Sequence, residues 1–282
     1  MVRQLARLFL VLTMLVVTAL PATAADTDRP LLLGTTTSVD NSGLLGPLLA
    51  AFRAETGIAV RTVVRGTGAI LQLGRSGDCD VVLVHHPDAE TAFVAGGNGI
   101  ARHPVMTSRF LIVGPESDPA NISKAPDSKA ALARIAAGPF EFISRGDQSG
   151  TNAAERGLWT RAGLAPWTTR GDWYRETGAG MGATLNMASV LSAYTFTESG
   201  SWTNFANRGD LAILFEGGPQ LSNPYAIIPI APDRHPHVAA DSAQSLVNWL
   251  TGPVGQAFIA DFRVDGAYPF APVRAPRRSP AR

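Results

Sequence analysis

The chain has 282 residues, of which 24 are Lys or Arg and 23 are Asp or Glu, so its formal net charge is +1. This near-neutral balance excludes a general binder of nucleic acid or other polyanions, because such a protein needs a large surplus of positive charge. The single cysteine, Cys79, excludes an internal disulfide framework. Two acids flank Cys79 and would raise its pKa, so we interpret it as a core residue and not as a nucleophile.

The N-terminus has the pattern of a secretory signal. Arg3 and Arg7 are followed by the apolar run Leu8–Leu20 and by the small-residue sequence Ala22–Ala24. This pattern predicts a signal peptide over residues 1–24, cleaved near Ala24, and export to the periplasm. The apolar run is short for a membrane span.

Strands and helices alternate along the rest of the chain. The predicted strands are Leu31–Gly34, Ile58–Val64, Asp80–Val84, Phe110–Val113, Phe140–Ile143 and Ala226–Ile230. The predicted helices are Gly43–Thr56, Ala69–Gly74, Ala89–Ala95, Asn152–Leu164 and Ser242–Phe262, and a further unit runs from Trp173 to Ala193. This alternation predicts an α/β fold with mainly parallel sheets flanked by helices.

The strongest local signal is the loop Ser144–Thr151, which lies between a predicted strand and a predicted helix. The start of a helix leaves N–H groups unpaired and carries partial positive charge, which favours an anion. Arg145 adds planar donors that suit tetrahedral oxygens. The loop contains no His or Lys that could activate Ser149, so we predict a binding site and not a catalytic one.

Two further loops carry hydroxyl groups at the ends of predicted strands. They are Thr35–Ser38, followed by Asp40–Gly43, and Arg65–Gly68. Ligands of open α/β sheets collect at the carboxyl ends of strands. Each loop alone could be an ordinary helix cap or turn, but three such loops together predict a site that surrounds a small anion.

The order of these loops predicts two lobes. The hydroxyl loops come early, the arginine loop comes in mid-chain, and Met106–Pro115 is a candidate crossing segment. We expect a first lobe from residues 25–107 and 226–270, and a second lobe from residues 108–225. Residues 271–282 are predicted to be a disordered basic tail. A ligand between the lobes would close a hinge.

These motifs, in this order, resemble the tungstate-binding periplasmic receptors of ABC uptake systems. The resemblance rests on Gly34–Ser38 with Asp40–Leu45, Arg65–Gly68, Asp80–His86, the Arg145 loop, Gly178–Leu185 and Ala193–Thr195. It implies a two-lobed type II periplasmic binding protein fold, capture of tungstate or molybdate, and delivery to a membrane permease. We expect a monomer that uses no cofactor and no metal.

Site residues carry over from the resemblance by position. It implies that Arg145 and Thr151 donate to the oxyanion, and it places Ser149 and Gly150 in the same loop. Thr36 and Thr37 would lie on the opposing lobe. Thr67 is a further candidate ligand, although its match to the family is weaker. Asp147 would orient Arg145, although an ordinary turn acid is an equally good interpretation.

Other residues are candidates for lining the cleft. They are Ser38, His85, Asp147, Gly182 and Tyr194, although core packing is the favoured role for Tyr194. The glycines at 178, 180 and 182 resemble a dinucleotide loop, but no acid follows about 20 residues later, where a ribose contact would need one. Adjacent His85 and His86 would point to opposite sides of a strand, which argues against a shared metal.

The loops offer many donors and few acceptors. Phosphate retains a proton at neutral pH and needs an acceptor, whereas tungstate and molybdate are full dianions. The sequence therefore favours tungstate or molybdate over phosphate. If Asp147 faced the ligand as an acceptor, this preference would be reversed. The alternatives are a receptor for phosphate or sulfate, or an exported enzyme acting on a phosphorylated substrate. An enzyme would need a base, nucleophile or metal beside the anion.

Overall fold

The computed structural model describes residues 29–168 and 172–274. The predicted signal peptide, and residues 275–282 of the predicted tail, lie outside these residues. The strands are β1 (Leu31–Thr36), β2 (Val60–Arg65), β3 (Val81–Val84), β4 (His103–Pro115), β5 (Phe142–Ser144), β6 (Tyr174–Glu176), β7 (Tyr194–Glu198), β8 (Leu211–Glu216), β9 (Ser222–Pro229) and β10 (Ala271–Pro272).

Helices flank these strands. They are α1 (Thr37–Asn41), α2 (Leu45–Thr56), α3 (Thr67–Ser76), α4 (Pro87–Ala95), α5 (Ser128–Ala136), α6 (Gly150–Arg161), α7 (Met181–Leu191), α8 (Ser199–Asn204), α9 (Ala240–Thr251) and α10 (Pro253–Asp261). No helix within the described residues is long and apolar enough to span a membrane.

Strand β4 connects the two halves of the sheet. The strand order is β2-β1-β3-β9-β4-β7-β5-β6, and both β8 and β10 pair with β4 outside this path. The first part of β4 pairs with β9 and β10, and its second part pairs with β7 and β8. The candidate crossing segment Met106–Pro115 therefore lies within one long strand.

The hydrophobic core changes along β4. Val105 and Met106 pack in a cluster whose other members come from residues 31–83 and 225–270. Phe110 and Ile112 pack in a cluster drawn from residues 110–221. We call these two bodies the first and second lobe. Tyr225 packs in the first of these clusters.

The α/β fold is confirmed, but its sheets are more mixed than the sequence predicted. Strand β1 pairs in parallel with β2 and β3, and β5 pairs in parallel with β6 and β7. The pairs made by β4 and β9 are antiparallel. The reason is that β4 and β9 are crossing strands, which a simple alternation of strands and helices does not reveal.

Two details at the C-terminal end differ from the sequence-based expectations. The segment Ser242–Phe262 is two helices, because Gly252 and Pro253 separate α9 from α10; proline cannot continue the hydrogen bonding of a preceding helix. The start of the predicted disordered tail is ordered, since Ala271 and Pro272 pair with β4.

The topology brings the candidate loops together. Strands β1, β2 and β3 are parallel and end at Thr36, Arg65 and Val84 in the first lobe. Strands β5 and β7 are parallel and end at Ser144 and Glu198 in the second lobe. The segments that follow these carboxyl ends face one another across the cleft between the lobes.

Candidate anion-binding site

Arg145 lies at the centre of the cleft and is 2% exposed. Its Nε and Nη2 atoms both donate to Oδ2 of Asp147, at 3.1 and 2.5 Å. Nη2 also lies 3.5 Å from the hydroxyl of Thr37 in the opposite lobe. Asp147 therefore holds the orientation of the guanidinium, and Nη2 lies next to the first lobe.

The loop that carries Arg145 is held by its own side chains. Asp147 Oδ1 accepts from the N–H of Ser149 at 3.2 Å, and Ser149 Oγ caps α6 by accepting from the N–H of Asn152. Gly146 has a φ of +60°, and a Cβ there would lie 2.6 Å from Cβ of Glu176. These contacts hold the loop and the carboxylate of Asp147 beside Arg145.

Glu198 is an acid of this site that the sequence analysis missed. It is 1% exposed, and its Oε1 atom lies 3.6 Å from Nη1 of Arg145. Its Oε2 atom is buried without a hydrogen-bond partner among the described residues. Burial raises the pKa of Glu198, and the nearby charge of Arg145 opposes that shift. Glu198 is thus a potential acceptor that the sequence analysis did not identify.

Thr151 connects the arginine loop to Glu198. It lies in the first turn of α6, is 1% exposed, and donates its hydroxyl hydrogen to Oε1 of Glu198. Because a hydroxyl has a single hydrogen, Thr151 cannot donate it to an anion at the same time. Its backbone N–H, like that of Gly150, lies in the first helical turn, where no carbonyl of the same helix can accept.

The first-lobe wall is a closed ring of hydrogen bonds. His85 Nδ1 bonds to Oδ1 of Asn223 at 2.9 Å, and Nδ2 of Asn223 donates to the hydroxyl of Tyr225 at 3.1 Å. Tyr225 donates to Ser38, and Ser38 bonds to His85 Nε2, each at 3.1 Å. The His85 and Tyr225 rings also stack, with centroids 4.7 Å apart.

This ring fixes the direction of each hydrogen. Since the oxygen of Asn223 accepts, His85 Nδ1 carries the proton and Nε2 is the acceptor. Ser38 must then donate its hydrogen to Nε2 and receive one from Tyr225. Thr36, 2.9 Å from the Ser38 oxygen, can use the second lone pair of Ser38 or turn its hydrogen toward a ligand.

His85 is neutral in the folded protein. Burial lowers its pKa to about 4, the hydrogen bond to Asn223 opposes this shift, and the charge of Arg145 adds to it. The imidazole therefore positions Ser38 and contributes no positive charge to the site. His86 lies outside the ring and caps α4.

The two lobes contact each other next to this ring. Gly66 faces Ser149 across the cleft, since a Cβ on Gly66 would lie 3.5 Å from Cα of Ser149. A Cβ on Gly150 would lie 2.8 Å from Thr67 Oγ1 and 3.0 Å from Cε1 of His85. Thr67 Oγ1 is buried and has no hydrogen-bond partner among the described residues. It is a free hydroxyl group in the cleft.

A cavity of about 370 Å³ opens beside Thr37. Gly180, Gly182, Ser201 and Asn204 line it from the second lobe, and Asn204 Nδ2 donates across the cleft to the carbonyl of Asn41 at 2.9 Å. Gly180 is the N-cap of α7, so the first turn of this helix faces the cavity.

The structure thus brings most of the predicted residues to one place and leaves one out. Tyr194 does not line the cleft: it is 1% exposed in the core of the second lobe. Its hydroxyl accepts from the N–H of Ala120 and donates to Asp118. The first residue of β7 lies at the end of the strand remote from the cleft, whereas Glu198 is its last residue.

Four residues of the assembled site were missed: Glu198, Ser201, Asn223 and Tyr225. A signal existed for the first two, because the β-branched and aromatic run Tyr194–Thr197 precedes Glu198, and Ser-Gly-Ser follows it, the same type of hydroxyl loop as the other three. Asn223 and Tyr225 lie on a crossing strand whose pairing the sequence did not indicate. Within the described ranges, no group of three or more His, Cys, Asp or Glu side chains is arranged to hold a metal ion.

Comparison with known proteins identifies relatives that cover most of this chain. Residues 19–254 match the model of a PBP superfamily domain. The tungstate-binding protein TupA of Peptoclostridium acidaminophilum is 40% identical over 234 residues, which are 82% of this chain and 81% of that protein.

Solved structures of tungstate-binding proteins are also similar to this chain over most of its length. The chain is 43% identical to a structure described as the tungstate ABC transporter from Geobacter sulfurreducens, with 84% of this chain and 100% of that chain covered and a TM-score of 0.76. It is 41% identical to the tungstate-binding protein TupA from Desulfovibrio alaskensis, with 86% and 99% covered and a TM-score of 0.76.

Proposed function

Since the chain belongs to the PBP superfamily and to its family of tungstate-binding proteins, we propose that it captures tungstate in the periplasm and delivers it to an ABC-type permease. It is a binding protein and not an enzyme. Molybdate, which has the same charge and tetrahedral shape, is the expected second ligand.

The observation that carries this proposal is the buried guanidinium of Arg145 between two lobes. A buried cation whose donors point into a cleft favours an anion, because the anion replaces the water that burial removes. From the first lobe, the hydroxyl of Thr37 lies 3.5 Å from Nη2 of Arg145, and Thr67 Oγ1 lies beside Gly150. The hydroxyl of Thr36 at the end of β1 and the N–H groups of Gly150 and Thr151 in the second lobe are further donors. This arrangement surrounds a small tetrahedral oxyanion with donors from both sides.

Export and delivery follow from the same family membership. The predicted signal peptide over residues 1–24 would place the mature protein, from Ala25, in the periplasm. A permease partner would recognise the closed form, in which loops of both lobes lie side by side. Mass spectrometry of periplasmic extract tests this, with a mature N-terminus near Ala25 as the expected result and full-length protein in the membrane fraction as the contradicting one.

One observation favours a second candidate, a receptor for hydrogen phosphate. If Glu198 is charged, its carboxylate can accept the proton that phosphate carries, and the selectivity predicted from donors alone would be reversed. The names of the tungstate-binding relatives argue against a phosphate receptor. In its favour, the site contains Glu198, the acceptor that hydrogen phosphate would need.

Calorimetric titration of the mature protein with tungstate, molybdate, sulfate and phosphate at pH 7 decides between them. We expect tight binding of tungstate, comparable or weaker binding of molybdate, and weak binding of phosphate. Arg145→Ala is the matched variant and should bind none of them. Phosphate that displaces tungstate at equal concentration would contradict the proposal and support the second candidate.

A further inference from the structure

The charges around Arg145 do not suit a dianion as they stand. Both Asp147 and Glu198 lie within 4 Å of the guanidinium, so one positive charge is shared by two carboxyl groups. His85 is neutral and adds no charge. If both acids were ionised, the site would carry a net negative charge before any ligand arrived, and a bound dianion would lie next to an unneutralised carboxylate in a region with little screening.

The two acids are not equivalent. Asp147 accepts from both Nε and Nη2 of Arg145 and from the N–H of Ser149, and its side chain is 17% exposed. Glu198 is 1% exposed, approaches Arg145 only at 3.6 Å, and has one oxygen without a partner. Burial raises the pKa of Glu198 and so favours its neutral form, whereas the charge of Arg145 and the hydroxyl of Ser201 oppose that shift.

We propose that Glu198 is a specificity-determining residue that takes up one proton from solvent when the oxyanion binds, so that the site becomes donor-only for a full dianion. This inference rests on the proposed function and names the residue through which the same site distinguishes its ligands. A neutral Glu198 removes the repulsion of the dianion. It also lacks the charged acceptor that a protonated oxyanion such as hydrogen phosphate would need.

The proton also changes what Thr151 can do. While Glu198 is ionised, the hydroxyl hydrogen of Thr151 is used by Oε1 of Glu198. A protonated Glu198 can donate to Thr151 Oγ1, and Thr151 then has its own hydrogen free for the oxyanion. One proton from solvent thus converts the repulsive carboxylate of Glu198 into a hydrogen-bond donor. It also frees the hydroxyl hydrogen of Thr151 for the oxyanion.

The groups that face Glu198 from each neighbouring element are consistent with this assignment. Arg145 and Asp147 face it from the loop after β5, and Tyr225 faces it from β9. Burial raises the pKa of Tyr225, and the charge of Glu198 raises it further, so Tyr225 is a neutral phenol. Thr151 on α6 and Ser201 on α8 are uncharged. Glu198 is therefore the group of this cluster whose protonation can follow ligand binding near neutral pH.

Titration calorimetry of the full mature protein with sodium tungstate, in buffers of different ionisation enthalpy from pH 7 to pH 9, measures the proton uptake. Tungstate stays a dianion in this range, so proton uptake reports on the protein. We expect uptake that rises toward one proton per tungstate, and an affinity that falls by up to tenfold for each pH unit. Glu198→Gln, which mimics the neutral acid, should show no uptake and a flat profile, and should bind more tightly than wild type at pH 9.

Two controls assign the proton to this residue. Asp147→Asn should weaken binding, because it frees Arg145, but should retain proton uptake. Glu90→Gln changes another fully buried glutamate, one that pairs with Arg102 in the first lobe, and should leave the pH profile unchanged. If Glu198→Gln does not fold, the wild-type profile together with the infrared carbonyl band of a protonated carboxyl group, compared with and without tungstate, still decides the question.

The outcomes separate this inference from the proposed function. Tungstate binding with a flat pH profile and no proton uptake would overturn the role of Glu198 and leave the proposed function intact. Absence of tungstate binding to the wild type would overturn the proposed function. Tight phosphate binding that Glu198→Gln abolishes would show a charged acceptor, and would therefore overturn the protonation proposal.

Discussion

Nη1 of Arg145 and Oε1 of Glu198 lie 3.6 Å apart in the cleft, although Arg145 follows strand β5 and Glu198 ends strand β7 of the second lobe. Both side chains are at most 2% exposed. Neither residue is isolated, because Asp147 also contacts the guanidinium and Thr151 also contacts the carboxyl group. The same side chains therefore form the anion site and set its net charge. A change in either Arg145 or Glu198 should affect both tungstate binding and the stability of the fold.

The first prediction concerns Arg145→Ala. We expect loss of tungstate binding, because each charge-assisted hydrogen bond contributes about 1.5–3 kcal/mol. We also expect a lower free energy of unfolding, by up to about 3–5 kcal/mol, because removing one partner leaves buried carboxyl groups without a cation. Arg145→Lys should restore binding only in part, since it loses the planar geometry.

Titration calorimetry and urea unfolding measure these two effects. The double variant Arg145→Ala with Glu198→Gln should recover part of the lost stability but none of the binding. An alanine variant that binds tungstate within a factor of two of the wild type would show that Arg145 is not a ligand.

The second prediction concerns acid stability and His85. A pKa lowered from 6.5 to about 4 corresponds to about 3 kcal/mol. Because the folded state holds the neutral imidazole, this stability is present above pH 6.5 and is lost as the pH falls from 6.5 toward 4. Burial raises the pKa of Glu155 to about 7, which changes stability in the opposite direction over part of this range.

The test therefore compares how much stability the wild type and a variant lose on acidification. Urea unfolding of wild type and His85→Gln at pH 7 and pH 4.5 should show a larger loss on acidification for the wild type. Equal losses for the two proteins would mean that His85 does not enter the folded state as the neutral form.

The third prediction separates Ser38 from Thr36. Ser38 donates its hydrogen to His85, so Ser38→Ala should lower the free energy of unfolding by about 1–3 kcal/mol by leaving buried groups unpaired, with little change in tungstate affinity. Thr36 can turn its hydrogen to the ligand, so Thr36→Ala should weaken binding by about tenfold or more. Calorimetry on both variants tests this, and a larger loss of affinity in Ser38→Ala would contradict the direction of the ring.

The fourth prediction concerns closure of the lobes at Gly150. A Cβ at this position would meet Thr67 Oγ1 at 2.8 Å, so Gly150→Ala should keep the lobes apart and weaken binding. Gly157→Ala, in the same helix, would meet only the flexible end of Arg161 at 3.4 Å and serves as the control.

Small-angle scattering with and without tungstate reports the movement. The radius of gyration should decrease on binding for the wild type and for Gly157→Ala, and should decrease less for Gly150→Ala. A wild type with the same radius in both states, at saturation, would argue against hinge closure.

Local pattern in the sequence was sufficient for the arginine loop and for the order of strands and helices. Arg145 and Ser149 lie between a strand and a helix, and Thr151 lies in the first turn of that helix, so their proximity needs no tertiary information. The same holds for the hydroxyl groups of Thr36 and Thr37 at the end of β1. The family resemblance added that the loops face each other.

Pairing between distant segments was not available from local pattern. The sequence marked part of β4 as a candidate crossing segment, but β9 looks like an ordinary strand there, and only its pairing partners reveal it as a crossing. The ring of His85, Asn223, Tyr225 and Ser38 depends on these pairings, because β9 brings two of its members beside β3. Sequence spacing alone could not place an amide and a phenol next to that imidazole.

The sequence by itself determined that this protein carries a guanidinium and a set of hydroxyl loops suited to an oxyanion. The tertiary structure decided which of those groups are free to act and which charges surround them. The protonation states of Glu198 and His85 depend on burial and on neighbours that come from segments far apart in the chain. Desolvation and charge proximity are properties of the assembled fold, and for that reason the balance of donors and acceptors in the site was decided only there.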